Sequence, residues 1–375
     1  MVEILGLTGY IPKDVRIVTP PYDIITPKLH KLLLARNSLV DVISGGDPQA
    51  AFKEHIRNED LVEAIVPSFY LYEQTYNGTT RIGVFVSAEV GSEIIQHEGT
   101  FPDKVRGRVD LREKTRHSFG PVFTYTEAGI GSFLESIRDE IIEYEGEPLF
   151  EFTSDFEGLS DMDGIHNRVF QIDAESKVGR ELSGILRTHP LYIIDGHHRY
   201  QAARGRQSHF LAYVTDQVTL QAYNRVIKGM RRFEEIKRQF NLEEVDEFKT
   251  PEKHQVCIYS GGQAYLLDIG FGIDRSSIAG QLDCNILEEV LYEELGLTKD
   301  MKMDPERFGY YPESQLKHMM DLVNNGDFDL AVALNPVLME ELLLVANAGL
   351  IMPEKSTYAF PKILTGLIIA KLQSI

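Results

Sequence analysis

A chain of 375 residues with 43% apolar and 25% charged side chains can bury a large core, and one large or two moderate domains are expected. A formal net charge of −19 disfavours duplex-DNA binding, which draws much of its affinity from a basic face. No apolar run approaches the ~20 residues that span a bilayer, no basic-then-apolar leader opens the chain, and Cys257 and Cys284 are too few and too far apart for a disulfide framework, so a cytoplasmic protein is expected.

Residues 15–18 read as a strand entering Pro20-Pro21-Tyr22-Asp23, which the prolines hold extended. A structural turn accounts for the prolines; a stiff loop also fixes a carboxylate, which makes Asp23 a candidate base or magnesium ligand. Residues 27–34 have helical character, and 69–74 with 81–88 alternate like strands about the hairpin signal Asn77-Gly78. The stretch from His97 to Arg116 then gathers His97, Glu98, Thr100, Asp103, Lys104, Arg106, Arg108, Arg112, Lys114 and Arg116. A solvated helix face explains such a stretch, and a clamp on nucleotide phosphates is the alternative.

Further on, 168–172 and 210–214 read as strands, and between them lies the densest chemistry of the chain. The apolar run 191–194 predicts a buried strand, Asp195-Gly196 breaks it, and the Ala-rich segment beyond favours a helix. A strand–turn–helix of this kind presents unpaired N–H groups, and His197, His198 and Arg199 add donors, as a phosphate site requires. An ordinary N-cap at Asp195 explains one polar residue but not the three that follow Gly196. Adjacent helical histidines diverge by about 100°, which argues against a shared metal.

Residues 220–240 read as a helical connection, 257–258 and 264–269 as a hairpin about Gly261-Gly262, and 285–295 and 312–324 as helices. A strand at 330–334, a helix at 337–348 and a last strand at 364–369 complete a mixed α/β (α+β) fold. A core over residues 1–240 and a C-terminal α/β region over 241–375 are expected, with a soft boundary near 235–250. Lys355, Ser356 and Thr357 lie between Pro353 and Pro361-Lys362; without a glycine-rich lead-in they are no P-loop, though the stiffened segment can deliver a lysine to a site.

Asp195-Gly196-His197-His198-Arg199-Tyr200 resembles the signature of a prokaryotic family of unknown function, domain-of-unknown-function family ten-fifteen, whose members are often labelled ParB-like. The resemblance runs over nearly the whole chain, through Pro20-Pro21-Tyr22-Asp23-Ile24, Tyr70-Leu71-Tyr72-Glu73, His97-Glu98-Gly99-Thr100 and Met352-Pro353-Glu354-Lys355-Ser356-Thr357-Tyr358 with Pro361-Lys362. It marks His97, Glu98, Thr100 and Arg108, and departs from the family where Gly107 replaces an acidic residue. More distantly, the Gly196–Arg199 turn is similar to that of the ParB/sulfiredoxin-like superfamily, which implies a core of that type. Sulfiredoxins carry cysteine where this chain has His197, and partition proteins carry an acidic residue and arginines after the glycine. Kinases acting on free serine have a similar Asp-Gly-His-His-Arg turn.

The expected function is a nucleotide-dependent small-molecule phosphotransferase using ATP or ADP with Mg²⁺. Serine or another hydroxyl amino acid as acceptor is implied by the resemblance alone. Asp195 would hold Mg²⁺ or take the acceptor proton, with His198 and Asp23 as further catalytic groups. Gly196, His197, Arg199, His97, Arg108 and Lys355 would bind the nucleotide. The rivals are a nucleotide-responsive ParB-like regulatory or binding protein and a metal-dependent hydrolase or nuclease using His97, His197 and His198. Expected partners are the nucleotide and the acceptor, with nucleic acid disfavoured and no membrane; a homo-oligomer is compatible with the sequence.

Overall fold

Asn77 and Gly78, at φ 49° and 78°, form the two-residue turn that joins strands Leu61–Tyr76 and Thr79–Glu89. In this computed structural model of the protein, which describes residues 1–144, 147–156, 159, 161–228 and 233–373, that hairpin is the centre of a sheet. The chain groups into two compact units: Met1–Gln96, Thr100–Val218 and Pro361–Ile375 form the first, His97–Gly99 and Thr219–Phe360 the second.

The first unit holds a twelve-stranded mixed sheet. Its path runs Ile94–Ile95, Leu191–Asp195, Val122–Tyr125, His209–Thr215, Thr79–Glu89, Leu61–Tyr76, Leu7–Pro12, Ile369–Lys371, His117–Ser118. Strands His117–Ser118 and Val122–Tyr125 are six neighbours apart on that path, which in a flat sheet would be about 29 Å. Only Phe119, Gly120 and Pro121 join them, a link that reaches no more than about 14 Å. The sheet therefore curls, and this short link lies where its last strand approaches Val122–Tyr125. Phe69, Leu71, Val84, Val122, Ile193 and Val214 form a core with Leu134, Leu182 and Leu186 from the helices outside it. Strand Leu191–Asp195 buries its four apolar residues and leaves Asp195 at the margin.

Closure of the curl depends on a late segment. Ile369–Lys371 inserts between Leu7–Pro12 and His117–Ser118, pairing Ala370 with Gly9 on one side and Ser118 on the other. Gly9 sits at φ 145°, and a Cβ there would lie 2.0 Å from the Ile369 carbonyl oxygen. The strands approach this closely because nothing projects from Gly9.

The second unit has a six-stranded antiparallel sheet in the order Glu243–Val245, Gln263–Asp268, Gln255–Ser260, Leu330–Leu334, Tyr223–Ile227, Phe308–Pro312. Successive residues of Gln255–Ser260 enter separate cores: Val256 and Ile258 join Ile286, Leu287 and Leu291, while Cys257 and Tyr259 join Met319 and Val323.

Two expected elements differ in type and two in their bounds. Residues 15–18 form a 3-10 turn over Val15–Ile17, capped by Asp14, not a strand. Residues 220–240 are not a helix throughout: Thr219–Gln221 and Tyr223–Ile227 are strands, Phe233–Gln239 is helical, and 229–232 fall outside the described residues. All five residues of Tyr223–Ile227 are buried in a central strand, so the two-residue alternation that identifies a half-buried strand is missing. The last strand begins only at Ile369, after a buried irregular run, and the helix expected from residue 312 begins at Leu316. Among the described residues no helix is long and apolar enough to cross a membrane.

Gly9→Ala is expected to lower stability by about 2 kcal/mol or more, because the added methyl group must displace the Ile369 carbonyl. Urea unfolding of the variant checks this; an unchanged midpoint would show that the C-terminal strand tolerates the displacement.

Candidate anion site

The strand–turn–helix expected around Asp195 is present: Leu191–Asp195 ends the strand, Gly196 turns at φ 99°, and His197–Ala203 follows as a helix. Gly196 meets two demands. Its backbone is left-handed, and a Cβ on it would lie 2.8 Å from Nε of Arg199. The guanidinium of Arg199 folds back against the turn, so this side-chain cation stands beside the turn's N–H groups, as the sequence led us to expect.

Asp195 is held between two cations. Its Oδ2 accepts from Nζ of Lys362 at 2.9 Å, and its Oδ1 lies 3.5 Å from Nη2 of Arg199. Burial pushes the carboxyl up, but Lys362 and then Arg199 outweigh it and bring its pKa down to about 2. Lys362 is only 3% exposed, and its main chain is fixed from the sheet. Arg81, stacked 4.7 Å from the Phe123 ring centroid, donates to the Pro361 carbonyl and to Gln74; Gln74 in turn donates to the Lys362 carbonyl at 3.0 Å.

Helix Pro102–Thr115 brings two further arginines, four residues apart and hence on one face. Arg108 lies 4.0 Å from the centroid of the Tyr22 ring and donates to the Ile43 carbonyl at 3.0 Å. Arg112 donates to Gln207 Oε1 at 2.6 Å and to Ser118 Oγ at 3.1 Å. With Arg199, Tyr22, Phe119 and Thr365 they line a cleft of ≈ 380 Å³, counted to its open mouth. Arg112 and Arg199 are 4% and 7% exposed. Burial, and after it the charges of Arg199 and Arg108, push Arg112 down to about 10. Burial also lowers Arg108, with Arg199 adding to the shift and Tyr22 and Asp23 opposing it. Asp23 acts electrostatically on both Arg108 and Asp195, which places it in the same neighbourhood.

Asp23, Arg108, Asp195, Gly196 and Arg199 thus come together in the first unit. His198 stands beside them in another capacity: its Nε2 accepts the Phe101 N–H at 2.9 Å, and its ring stacks on Phe101, at the start of the helix that carries the arginines. His197 is buried. His97 and Lys355 belong to the second unit. There His97 is buried and its carbonyl accepts the Met352 N–H at 2.7 Å, while Lys355 has φ 63° and accepts from Arg225 at its carbonyl. No group of three or more His, Cys, Asp or Glu able to hold a metal is found among the described residues.

Lys362, Tyr22, Ser118 and Thr365 had no assigned role in the sequence, and Arg112 entered only as a member of the basic stretch 97–116. Arg112 was visible as the residue four beyond Arg108, and Lys362 only as part of the pair Pro361-Lys362.

Over residues 12–285 the chain matches the family described as "Protein of unknown function (DUF1015)". No curated protein matches it. Solved structures similar to it include a free serine kinase in complex with AMP, at 13% identity and TM-score 0.39, over 76% of this chain and 92% of that one. A conserved hypothetical protein from Pyrococcus furiosus is similar at 12% identity and TM-score 0.38, over 78% and 94%. A C-terminally truncated SbnI from Staphylococcus aureus is similar at 12% and 0.39, over 76% and 87%.

The depressed pKa of Asp195 stabilises the fold above the unfolded-state value of about 4, and this contribution is lost as pH falls towards 2. It amounts to about 2 kcal/mol. Asp195→Asn should lack that acid-dependent loss and, with Lys362 left buried beside an amide, should be about 3–5 kcal/mol less stable at pH 7. Urea unfolding at pH 7 and pH 3 measures both effects; equal acid sensitivity in the two proteins would remove Asp195 as its source.

Proposed function

Because the chain belongs to the DUF1015 family, of unknown function, its activity is read from its own cleft, and we propose that this cleft binds the phosphates of a nucleotide and serves phosphoryl transfer to a hydroxyl-bearing small molecule. One observation carries the reading: four cations, Arg108, Arg112, Arg199 and Lys362, stand against two carboxylates, Asp23 and Asp195, with two of the guanidiniums almost wholly buried beside a cleft. Buried like charges that lower one another's pKa are costly in an empty site and favourable around a multivalent anion. A phosphate group supplies that charge and accepts the planar, forked donors that arginine offers.

In this reading Arg108, Arg112 and Arg199 neutralise the oxygens of the transferred group, on which charge is spread in the transition state. The acceptor oxygen bonds to phosphorus, the bridging bond to the leaving phosphate breaks, and Asp23 takes the hydroxyl proton. Asp195, with a pKa near 2, is too weak a base to match that task at neutral pH. Its work is to hold Lys362 and Arg199 in place. Both its oxygens face cations, so the arrangement does not fit Asp195 as a magnesium ligand. The Nε2 lone pair of His198 is committed to the Phe101 N–H, and His198 enters as a positioning residue for the arginine helix. A hydroxyl amino acid such as serine, with ATP or ADP as donor, is the substrate pair we propose. The same cations would also serve a second reading, a nucleotide-responsive binding protein without turnover.

Calorimetric titration with ADP and ATP should give binding that Arg199→Ala weakens by about 2 kcal/mol or more, at least about thirtyfold in Kd. Incubation with nucleotide and serine, followed by ³¹P NMR, should show a new phosphate ester in wild type and a large loss of it in Asp23→Asn. Binding without product favours the second reading, and nucleotide affinity unchanged in Arg199→Ala would overturn both.

A further inference from the structure

We propose that the first unit carries a second anion site, for a small phosphate or diphosphate group, between the end of helix Pro102–Thr115 and the segment that follows helix His197–Ala203. A cleft of ≈ 430 Å³ opens there, lined by Arg112, Arg116, Arg206, Glu113, Gln207 and Leu372 among others. Three guanidiniums against one carboxylate leave a local positive excess in a chain whose formal net charge is −19. The donors are also anchored. Gln207, itself buried, accepts from Nη1 of Arg112 at 2.6 Å and so ties that guanidinium to the cleft wall. The main chain of Arg116 is fixed on both sides: its N–H donates to the Arg112 carbonyl at 2.8 Å, and its carbonyl accepts the Leu372 N–H at 3.0 Å.

Arg116 supplies the second observation. It ends its helix in the left-handed conformation, at φ 60° and ψ 23°, a position that glycine or asparagine fills most readily. Helix termination alone does not call for an arginine there. The conformation does root a long cation at a fixed point on the rim of a basic cleft.

The two clefts share one lining residue, Arg112. Its guanidinium already feels the charges of Arg108 and Arg199. An anion at either cleft draws on the same cation, and two anions flanking it repel one another. Occupancy of the second site therefore weakens binding at the first, and the reverse holds by linkage. This coupling, unlike the second site itself, rests on the first cleft being an anion site.

The test is calorimetric titration of the full chain with inorganic pyrophosphate. Wild type should bind two equivalents in unequal steps. Arg116→Gly combined with Arg206→Ala should retain one, and Arg199→Ala should retain the other. Each remaining step should be tighter than the weaker wild-type step, by a factor on the order of ten. Arg116→Gly should leave the melting temperature unchanged or raised, since glycine suits that backbone, and Arg206→Ala alone, on an exposed residue, gives a second route to the same readout. A single equivalent lost in Arg199→Ala and untouched by the Arg116 and Arg206 substitutions would overturn the second site and leave the first cleft standing. A single equivalent lost only with Arg116 and Arg206 would support the second site and remove the first. No binding to wild type would overturn the proposal.

Discussion

The ion pairs of Asp195 with Lys362 and Arg199 are the interaction on which the cleft depends. An unpaired carboxylate at that depth would cost several kcal/mol, and so would an unpaired lysine as buried as Lys362. Together they are tolerated because the geometry is fixed from outside the pair. Arg81 and Gln74 reach from adjacent strands of the central hairpin to the carbonyls of Pro361 and Lys362, so the ammonium group starts from a rigid base. Arg81 is itself buried and stacked between Phe123 and Tyr213. A salt bridge supported in this way gives position more than stability, which is what a charged cleft requires of it.

The surplus of positive charge is local and contained within an acidic molecule. At a Debye length of about 8 Å in physiological salt, the negative surface is felt only near the mouth of the cleft. On the proposed reading, binding strength comes from donors that are already desolvated and oriented, in particular Arg112 and Arg199. Long-range steering would contribute little to such a site, and an anion bound as proposed would relieve the mutual repulsion of its guanidiniums.

The sequence made much of this legible where one segment contains the whole device. Asp195, Gly196 and Arg199 lie within five residues and obey a strand–turn–helix logic, and the hairpins about Asn77-Gly78 and Gly261-Gly262 follow from turn chemistry alone. Arg108 stood out as part of a basic stretch. Lys362 was opaque because its partner is 167 residues away and no local pattern encodes a pairing of that length. Tyr223–Ile227 was misjudged for a different reason: a strand covered on both faces loses the alternation that reveals strands. His198 illustrates a third limit, since an imidazole that accepts a main-chain N–H cannot be told by sequence from one reserved for chemistry.

The insertion of Ile369–Lys371 between Leu7–Pro12 and His117–Ser118 has a consequence for synthesis on the ribosome. A nascent chain that has released everything through residue 218 already carries Asp23, Arg108, Arg112, Asp195 and Arg199, yet the slot between those two strands is still vacant and the carboxylate has no lysine. At roughly 5–20 residues per second, the roughly 145 residues that lead to Lys362 take about 7 to 30 s. During that interval Asp195 and Arg199 are present without Lys362. On the reading proposed above, an anion held by the three arginines would shield their repulsion until Lys362 arrives.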